Sequence, residues 1–278
     1  MLKLLLAQRD VLVAPGVYDG LSATLAARAG FDVVYMSGFS VAGATYGVPD
    51  VGIIGANEMA EAADRIVRAA GTTPVIADAD NGYGGPLNVA RIVERYEQLG
   101  VACIQIEDQV LPKRCGHMEN KQVVGRKEAT ARIRAAVKAR QSTDFLVMAR
   151  TDAAATDGLG EALRRAEDFL HAGADILFVE APRTESDLRR IGETFAGTPL
   201  VLNLVEDGKT PWLVPETARE LGFRIVLYPV TALLHAAEAL SGVYEVLRAG
   251  GAPTSARMKF GDFNQLVGLD RLNGWLPE

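Results

Sequence analysis

One junction recurs along this chain and limits what it can fold into. The segments "AARAGFDVVYMSG", "YEQLGVACIQIED", "LHAGADILFVEA" and "RELGFRIVLYP" each pass from a helical pattern through a glycine (Gly30, Gly100, Gly173, Gly222) into an apolar run. Glycine at a helix end adopts the left-handed conformation that a β-carbon penalises. "GTTPVIAD" and "GTPLVLN" make two further transitions through Gly-Thr and a proline. The apolar runs are Val11–Ala14, Val33–Met36, Pro74–Ala77, Ala102–Ile106, Phe145–Ala149, Ile176–Val179, Leu200–Leu202 and Ile225–Leu227. Most lack polar alternation, as expected of parallel strands buried on both faces. Helical patterns such as Asn57–Ala70, Pro86–Leu99, Arg126–Arg140, Glu161–Ala172 and Pro215–Leu221 lie between them. Eight strands at a spacing of roughly 25–35 residues is the count of a (β/α)8 TIM-type barrel, with an open doubly wound sheet as the competing arrangement.

A chain of 278 residues suits one such barrel, which runs to about 250 residues as a single domain. No Pro/Gly/Ser-rich linker marks a boundary, so residues 1–278 are expected to form one domain. Residues 250–278 then form its C-terminal helical tail, with stretches Thr254–Phe260 and Asp262–Leu269, packed on the barrel or on a neighbouring subunit. Residues 1–10 read as an opening amphipathic helix, too short in its apolar run for a secretory signal. No run approaches the ~18 apolar residues of a membrane span. Lys and Arg number 29 against 35 Asp and Glu, a net charge of −6 that argues against nucleic-acid and membrane-surface partners. Two cysteines cannot build a disulfide framework, so a cytoplasmic location is expected.

Chemistry in a barrel belongs at the C-terminal ends of the strands. The polar residues there are Tyr35, Ser37 and Gly38 after the second run, Asp78 and Asp80 after the third, and Glu107 and Asp108 after the fourth. Arg150 and Asp152 follow the fifth, Glu180 the sixth and Asn203 the seventh, with Asp50 on the long loop after the second. So many acids at one rim repel unless a cation is present, and hard oxygen ligands suit Mg2+ or Mn2+. Asp78, Asp80 and Glu107 are read as metal-binding, whereas Asp152 and Asp157 suit helix capping and turns. Arg150 is either a structural ion-pair partner of these acids or a clamp on a substrate carboxylate. The loop from Asp108 to Gly125 is long for a strand-to-helix connection and could act as a lid. It carries Cys115 beside Arg114, Gly116 and His117, with Lys113 and Lys121 near. Positive neighbours are expected to lower the thiol pKa and Gly116 to leave its approach open, against the alternative of a loop cysteine with no role. Cys103 reads as a buried packing residue, His171 as a helix-end residue, and His235 is ambiguous.

"PKRCGH" after "IEDQ", with "ADADNGYGG", "ARTDA", "VEAP", "YPVTAL" and "DFNQLVGLD", resembles the isocitrate lyase/phosphoenolpyruvate mutase superfamily from about Val13 to Leu269. The Lys-Arg-Cys-Gly-His loop is similar to the methylisocitrate, dimethylmalate and isocitrate lyase branches. The resemblance implies a modified barrel, often with its eighth helix exchanged between subunits of a tetramer or dimer. It implies Mg2+ on Asp78 and Asp80, with Asp50 and Glu107 ordering its waters. It further implies Ser37 and Gly38 as donors to a substrate carboxylate, with Gly116 beside them, and Asn203 on a second carboxylate. Arg150 and Glu180 would flank the reacting centre, and Lys113 and His117 share the catalytic loop with Cys115, the acid.

The implied reaction is carbon–carbon cleavage of a 2-hydroxy di- or tricarboxylate to a 2-keto acid and a second carboxylate. Tyr35 is the expected acceptor of the hydroxyl proton. One departure bears on substrate: methylisocitrate lyases carry an arginine after strand eight, where this chain reads Pro229-Val-Thr-Ala-Leu-Leu-His235. Its loss favours a smaller dicarboxylate such as a 2-alkylmalate, with methylisocitrate close behind. An oxaloacetate hydrolase or decarboxylase, a phosphonate-processing mutase or hydrolase, and a non-catalytic barrel are the alternatives.

Overall fold

The computed structural model describes residues 1–254 and 257–276. It divides into two compact units, Met1–Thr231 and Ala232–Glu278. The first contains eight parallel strands: β1 (Leu12–Val17), β2 (Val34–Met36), β3 (Val75–Asp78), β4 (Cys103–Glu107), β5 (Leu146–Thr151), β6 (Ile176–Val179), β7 (Val201–Asn203) and β8 (Ile225–Tyr228). Their hydrogen-bonded order is β6-β5-β4-β3-β2-β1-β8-β7. A parallel bridge between Leu177 and Leu200 joins the two ends of that order. Going round the cylinder thus follows the order of the chain, which a doubly wound sheet does not do. The expected glycines close the preceding helices with φ of +85° at Gly30, +86° at Gly100, +100° at Gly173 and +93° at Gly222.

The strand period of two decides what enters the barrel. Leu12, Tyr35, Ile76, Cys103, Leu146, Met148, Ile176, Phe178, Val201 and Ile225 share one interior cluster, joined at its foot by Leu2 from the opening helix Leu2–Gln8. Continuing the same faces by steps of two leads to Asp78, to Gln105 and Glu107, to Arg150, to Glu180 and to Asn203. Each interior row is therefore apolar below and polar at the C-terminal mouth. The opposite faces, with Val34, Ala77, Ile104, Val147 and Leu177 among them, join the larger core with the surrounding helices.

The second unit holds most of the helix Thr231–Arg248 and the short helices Phe260–Leu266 and Leu269–Asn273. The expected helix Thr254–Phe260 includes Ser255 and Ala256, which lie outside the described residues, and Arg257–Lys259 are not helical. The expected Asp262–Leu269 helix ends at Leu266, because Gly268 takes φ +89° and caps the next helix. The sequence reading also passed over the helix Glu185–Thr194 and a π-helical turn at Ala42–Tyr46.

Helix Glu185–Thr194 depends on Gly192, where a β-carbon would collide with the backbone carbonyl of Leu221. The backbone cannot yield as a side chain can, so Gly192→Ala should destabilise the barrel by about 1–3 kcal/mol, the usual cost of overpacking. Urea unfolding checks this, and an unchanged midpoint would contradict the close approach.

Candidate active site

The acids of the mouth meet on a lysine brought in by a loop. Lys113 Nζ lies 2.5 Å from Asp50 Oδ1 and 2.6 Å from Asp80 Oδ1, with all three side chains buried. Asp50 comes from the segment after the π-helical turn, and its backbone carbonyl also accepts from the N–H of Cys115 at 3.2 Å. Asp78 is held from three sides: Gln105 Nε2 (3.0 Å), the Asp80 N–H (3.0 Å) and the Gly38 N–H (3.2 Å) all donate to it. Burial pushes the Asp80 carboxyl up to about 7, with Lys113 opposing and Asp78 and Asp50 adding to the rise. Burial likewise raises Glu107 well above the carboxylate range, against the pull of Arg150. Glu107 Oε1 is buried with no hydrogen-bond partner. Burial works to lower the Lys113 ammonium, but Asp80 and Asp50 outweigh it and raise the pKa, so the cation persists.

A second cluster surrounds Arg150. Its Nε lies 2.9 Å from Asp152 Oδ2, 3.4 Å from Glu107 Oε2 and 3.8 Å from Glu180 Oε2. The guanidinium stands 5.1 Å over the Phe178 ring, which supplies a cation–π floor. Asp152 also takes Lys121 Nζ at 2.7 Å. Burial would raise Asp152, yet Arg150 and Lys121 hold it well below the usual range. Asp152 is thus a charged partner of the site, not the helix cap read from the sequence, and its side chain makes no cap hydrogen bond. Glu180 is fully buried and kept ionised by Arg150 and His117 against the effect of burial.

His117 Nδ1 accepts from the Lys209 N–H at 3.1 Å. That bond leaves the ring proton on Nε2, which lies 2.9 Å from Glu180 Oε1. Asn203 Nδ2 donates to both oxygens of Glu180 at 3.3 Å.

Beside these clusters lies a cavity of about 40 Å³ whose wall includes Tyr35, Ser37, Asp50, Asp78, Lys113, Cys115, Gly116, His117, Arg150 and Asn203. Phe39, Val205, Pro229 and Val230 form an apolar stretch of the same wall. Three expectations change here. Cys115 does not have a lowered pKa: burial pushes its thiol up to about 11 and Asp50 adds to the rise. Lys113 and Lys121 are engaged with carboxylates and cannot serve the sulfur. Tyr35 is poorly placed as a base, because burial raises its pKa well above the ordinary value, Asp78 adding and Arg150 opposing. Its hydroxyl instead donates to Gln105 Oε1 at 2.9 Å. The backbone donors of Ser37 and Gly38 are also engaged, with Val17 O at 3.2 Å and Asp78 respectively. A β-carbon at Gly38 would come within 2.7 Å of Asp78 Oδ2, so this glycine lets the acid close in.

Sequence reasoning missed Gln105 and Arg165, and it named Asp108 and Lys121 without their partners. Gln105 was visible as the one amide inside "ACIQIED". Asp108 accepts from Thr151 Oγ1 (2.7 Å), the Asp152 N–H (2.9 Å) and Arg165 Nη1 (3.0 Å), and no local signal pairs Arg165 with it across 57 residues. The donor set fits a hard divalent cation: buried carboxylates outnumber the buried cations at the mouth, and one Glu107 oxygen lacks a partner. Among the described residues no three or more acids, histidines or cysteines form a ready-made cage. Mg2+ does not need one, since it commonly keeps several waters and takes one or two carboxylates.

A family model described as phosphoenolpyruvate phosphomutase matches residues 2–247. A 2,3-dimethylmalate lyase of Eubacterium barkeri is 44% identical over 273 residues, covering 96% of this chain and 93% of that protein. A 2-methylisocitrate lyase of Bacillus subtilis is 42% identical over 248 residues, covering 89% and 81%. A solved structure of oxaloacetate acetylhydrolase with the inhibitor 3,3-difluorooxalacetate superposes with a TM-score of 0.94 at 38% identity, covering 98% of this chain and 93% of that one.

The Cys115 setting is open to direct titration. A thiol with its pKa raised to about 11 becomes thiolate only as the pH climbs through that value. Alkylation of Cys115 by iodoacetamide, followed by peptide mass spectrometry, should therefore keep accelerating beyond pH 10. A midpoint near the unperturbed value of about 8.5 would contradict the raised value.

Proposed function

The chain belongs to the phosphoenolpyruvate mutase/isocitrate lyase superfamily, and from that premise we propose that it is a carbon–carbon lyase dependent on a divalent metal. Its substrate is a 2-hydroxy di- or tricarboxylate of the 2-alkylmalate or 2-methylisocitrate type, cleaved to a 2-keto acid and a second carboxylate. The observation that carries this reading is the Lys113–His117 loop lying against the acid rim, with a protonated Cys115 thiol facing the same cavity as Arg150.

Lyases of this superfamily are generally dependent on a divalent metal. Asp78 and Asp80 would hold Mg2+ or Mn2+, with Asp50 and Glu107 beside them, and the cation would lower the pKa of the substrate hydroxyl. Arg150 binds a substrate carboxylate and steadies the charge that develops next to it. The hydroxyl passes its proton to the ionised Glu180 carboxylate, the O–H bonding pair becomes the second bond of the new carbonyl, and the adjacent C–C bond breaks. The bonding electrons pass to the departing carbon, which becomes a carbanion beside its own carboxylate. Cys115 Sγ–H gives that carbon its proton, and the proton taken from the hydroxyl returns to the thiolate as the products leave, so the cycle closes with no net proton change. A thiol whose pKa is raised holds its proton at neutral pH until such a strong base forms. Glu180, His117 and Asn203 fix one side of the cavity, and Lys113 keeps the Asp50–Asp80 pair together.

Phe39, Val205, Pro229 and Val230 support an alkyl-bearing dicarboxylate, since this stretch of wall offers no cation for a third carboxylate. Oxaloacetate hydrolysis is the second reading, favoured by the likeness to the acetylhydrolase structure. Residues 1–278 are taken as one domain with 250–278 as its tail, supported by relatives that align over 96% of the chain. We take the protein as a homo-oligomer, with the C-terminal helix exchanged between subunits of a dimer or tetramer, as the family resemblance implies. Among the described residues no helix is long and apolar enough to cross a membrane. We take the setting as cytoplasmic, and the partner as a small carboxylate, not a nucleic acid or a membrane.

With Mg2+ present, a panel of 2-alkylmalates, methylisocitrate and oxaloacetate should yield keto acid from an alkylmalate first. Cys115→Ser should lower kcat by about 10²–10⁴-fold, the range for loss of a positioned acid, and Asp80→Ala or chelation should abolish turnover. Oxalate release from oxaloacetate without cleavage of any malate would replace the lyase reading with the hydrolase.

A further inference from the structure

The loop that carries Cys115 is tied down at several points, and one of them lies outside the reacting set. Its feet pair through a bridge between Gln109 and Val123. Between them, Gln109 turns the chain by accepting from the Arg114 N–H (2.9 Å) and donating to the Arg114 carbonyl (2.8 Å). At the surface Lys209 Nζ meets Glu119 at 2.5 Å, but Glu119 is 76% exposed and such pairs contribute little. Lys121 is different. Its side chain is 2% exposed, and it does not line the cavity.

The Lys121 ammonium has one partner inside the loop and one on the barrel. It donates to the carbonyl of Gly116, the neighbour of Cys115, and to Asp152 Oδ1 at 2.7 Å. The barrel partner is itself immobilised. The Asp152 N–H is held by Asp108 Oδ1, and Asp108 is gripped by Thr151 and by Arg165 from the helix Leu159–His171. Arg165 also donates to the carbonyl of Val124, where the loop returns. Both Asp152 oxygens take Arg150, Nε at 2.9 Å and Nη2 at 3.2 Å. Gly116 lies so near that a β-carbon there would collide with Arg150 Nη2 and approach Glu180 Oε1 to 2.6 Å.

We propose that Lys121 is a positioning residue that latches the loop shut, clipping the Gly116 carbonyl to Asp152 and thereby seating Cys115 over the cavity. Because Asp152 also orients Arg150, loop closure and guanidinium alignment become one event. With Lys121 withdrawn, the Gly116 carbonyl loses its donor and Asp152 keeps only Arg150 as its cation. The guanidinium is then pulled toward Asp152 alone, and Cys115 loses its fixed approach.

The kinetic consequence rests on the lyase reading; closure itself is read from the thiol without any substrate. The full chain is prepared as wild type, Lys121→Met, Lys121→Arg and the double variant Lys121→Met/Asp152→Asn. The double variant leaves no unpaired buried carboxylate and so guards against simple misfolding. Iodoacetamide labelling of Cys115 at pH 8 should accelerate at least about tenfold in Lys121→Met and in the double variant, as loss of a buried ion-pair partner supports. Lys121→Arg, which keeps the charge, should stay nearer to wild type. On whichever 2-hydroxy acid the wild type cleaves, kcat in Lys121→Met should fall about 100-fold, the scale of a misplaced catalytic group, with KM changing far less. Wild-type labelling rates in a folded Lys121→Met or double variant would overturn the latch. Faster labelling with unchanged kcat would overturn its link to Arg150. If the wild type cleaves no 2-hydroxy acid, the lyase reading fails while the labelling rates still decide the latch.

Discussion

Taking a carboxylate out of water costs several kcal/mol unless a cation or hydrogen bonds replace the lost solvation. The mouth of this barrel buries seven of them: Asp50, Asp78, Asp80, Glu107, Asp108, Asp152 and Glu180. Against them stand the buried cations Lys113, Lys121, Arg150 and Arg165, while Arg132 pairs outward with Glu128. The balance of charge governs most of what the site does. Where cations are near, as at Asp152 and Glu180, the acids stay ionised. Where one cation is shared among several acids, as Lys113 is at Asp80 and Arg150 at Glu107, burial outweighs it, raises the acid pKa and leaves room for further positive charge.

Two of the four cations arrive on the loop between Asp108 and Gly125, so charge balance and loop position are one problem. Lys113 and Lys121 lie on either side of Cys115 and reach different acids, Asp50 with Asp80 and then Asp152. With both lysines engaged, the thiol between them is left under the influence of burial and of Asp50, which raise its pKa. A protonated thiol beside ionised Glu180 and cationic Arg150 is an arrangement for delivering a proton to a carbanion, not for nucleophilic attack.

Much of this was legible in the chain. The helix–glycine–strand junctions announced the repeat because left-handed caps demand glycine, and the eight apolar runs announced buried parallel strands. The acids of the rim were legible by position, since each follows its apolar run. Charge neighbours in the sequence misled at Cys115, because a lysine two residues away along a loop spends its charge wherever its four-carbon stem reaches. Asp152 misled for the opposite reason: it resembles a local cap until Lys121 and Arg150 converge on it. Arg165 and Asp108 carried no local signature, since their pairing exists only once a helix and a strand end are brought together.

The sequence by itself determined the barrel, its eight strands and the acids that follow them at its mouth, because those follow from local periodicity and turn chemistry. Tertiary structure alone decided which acid meets which cation, and hence which groups hold protons. Those pairings depend on burial and on contacts across tens of residues, such as Lys113 with Asp50 and Asp80, and no local rule of spacing encodes them.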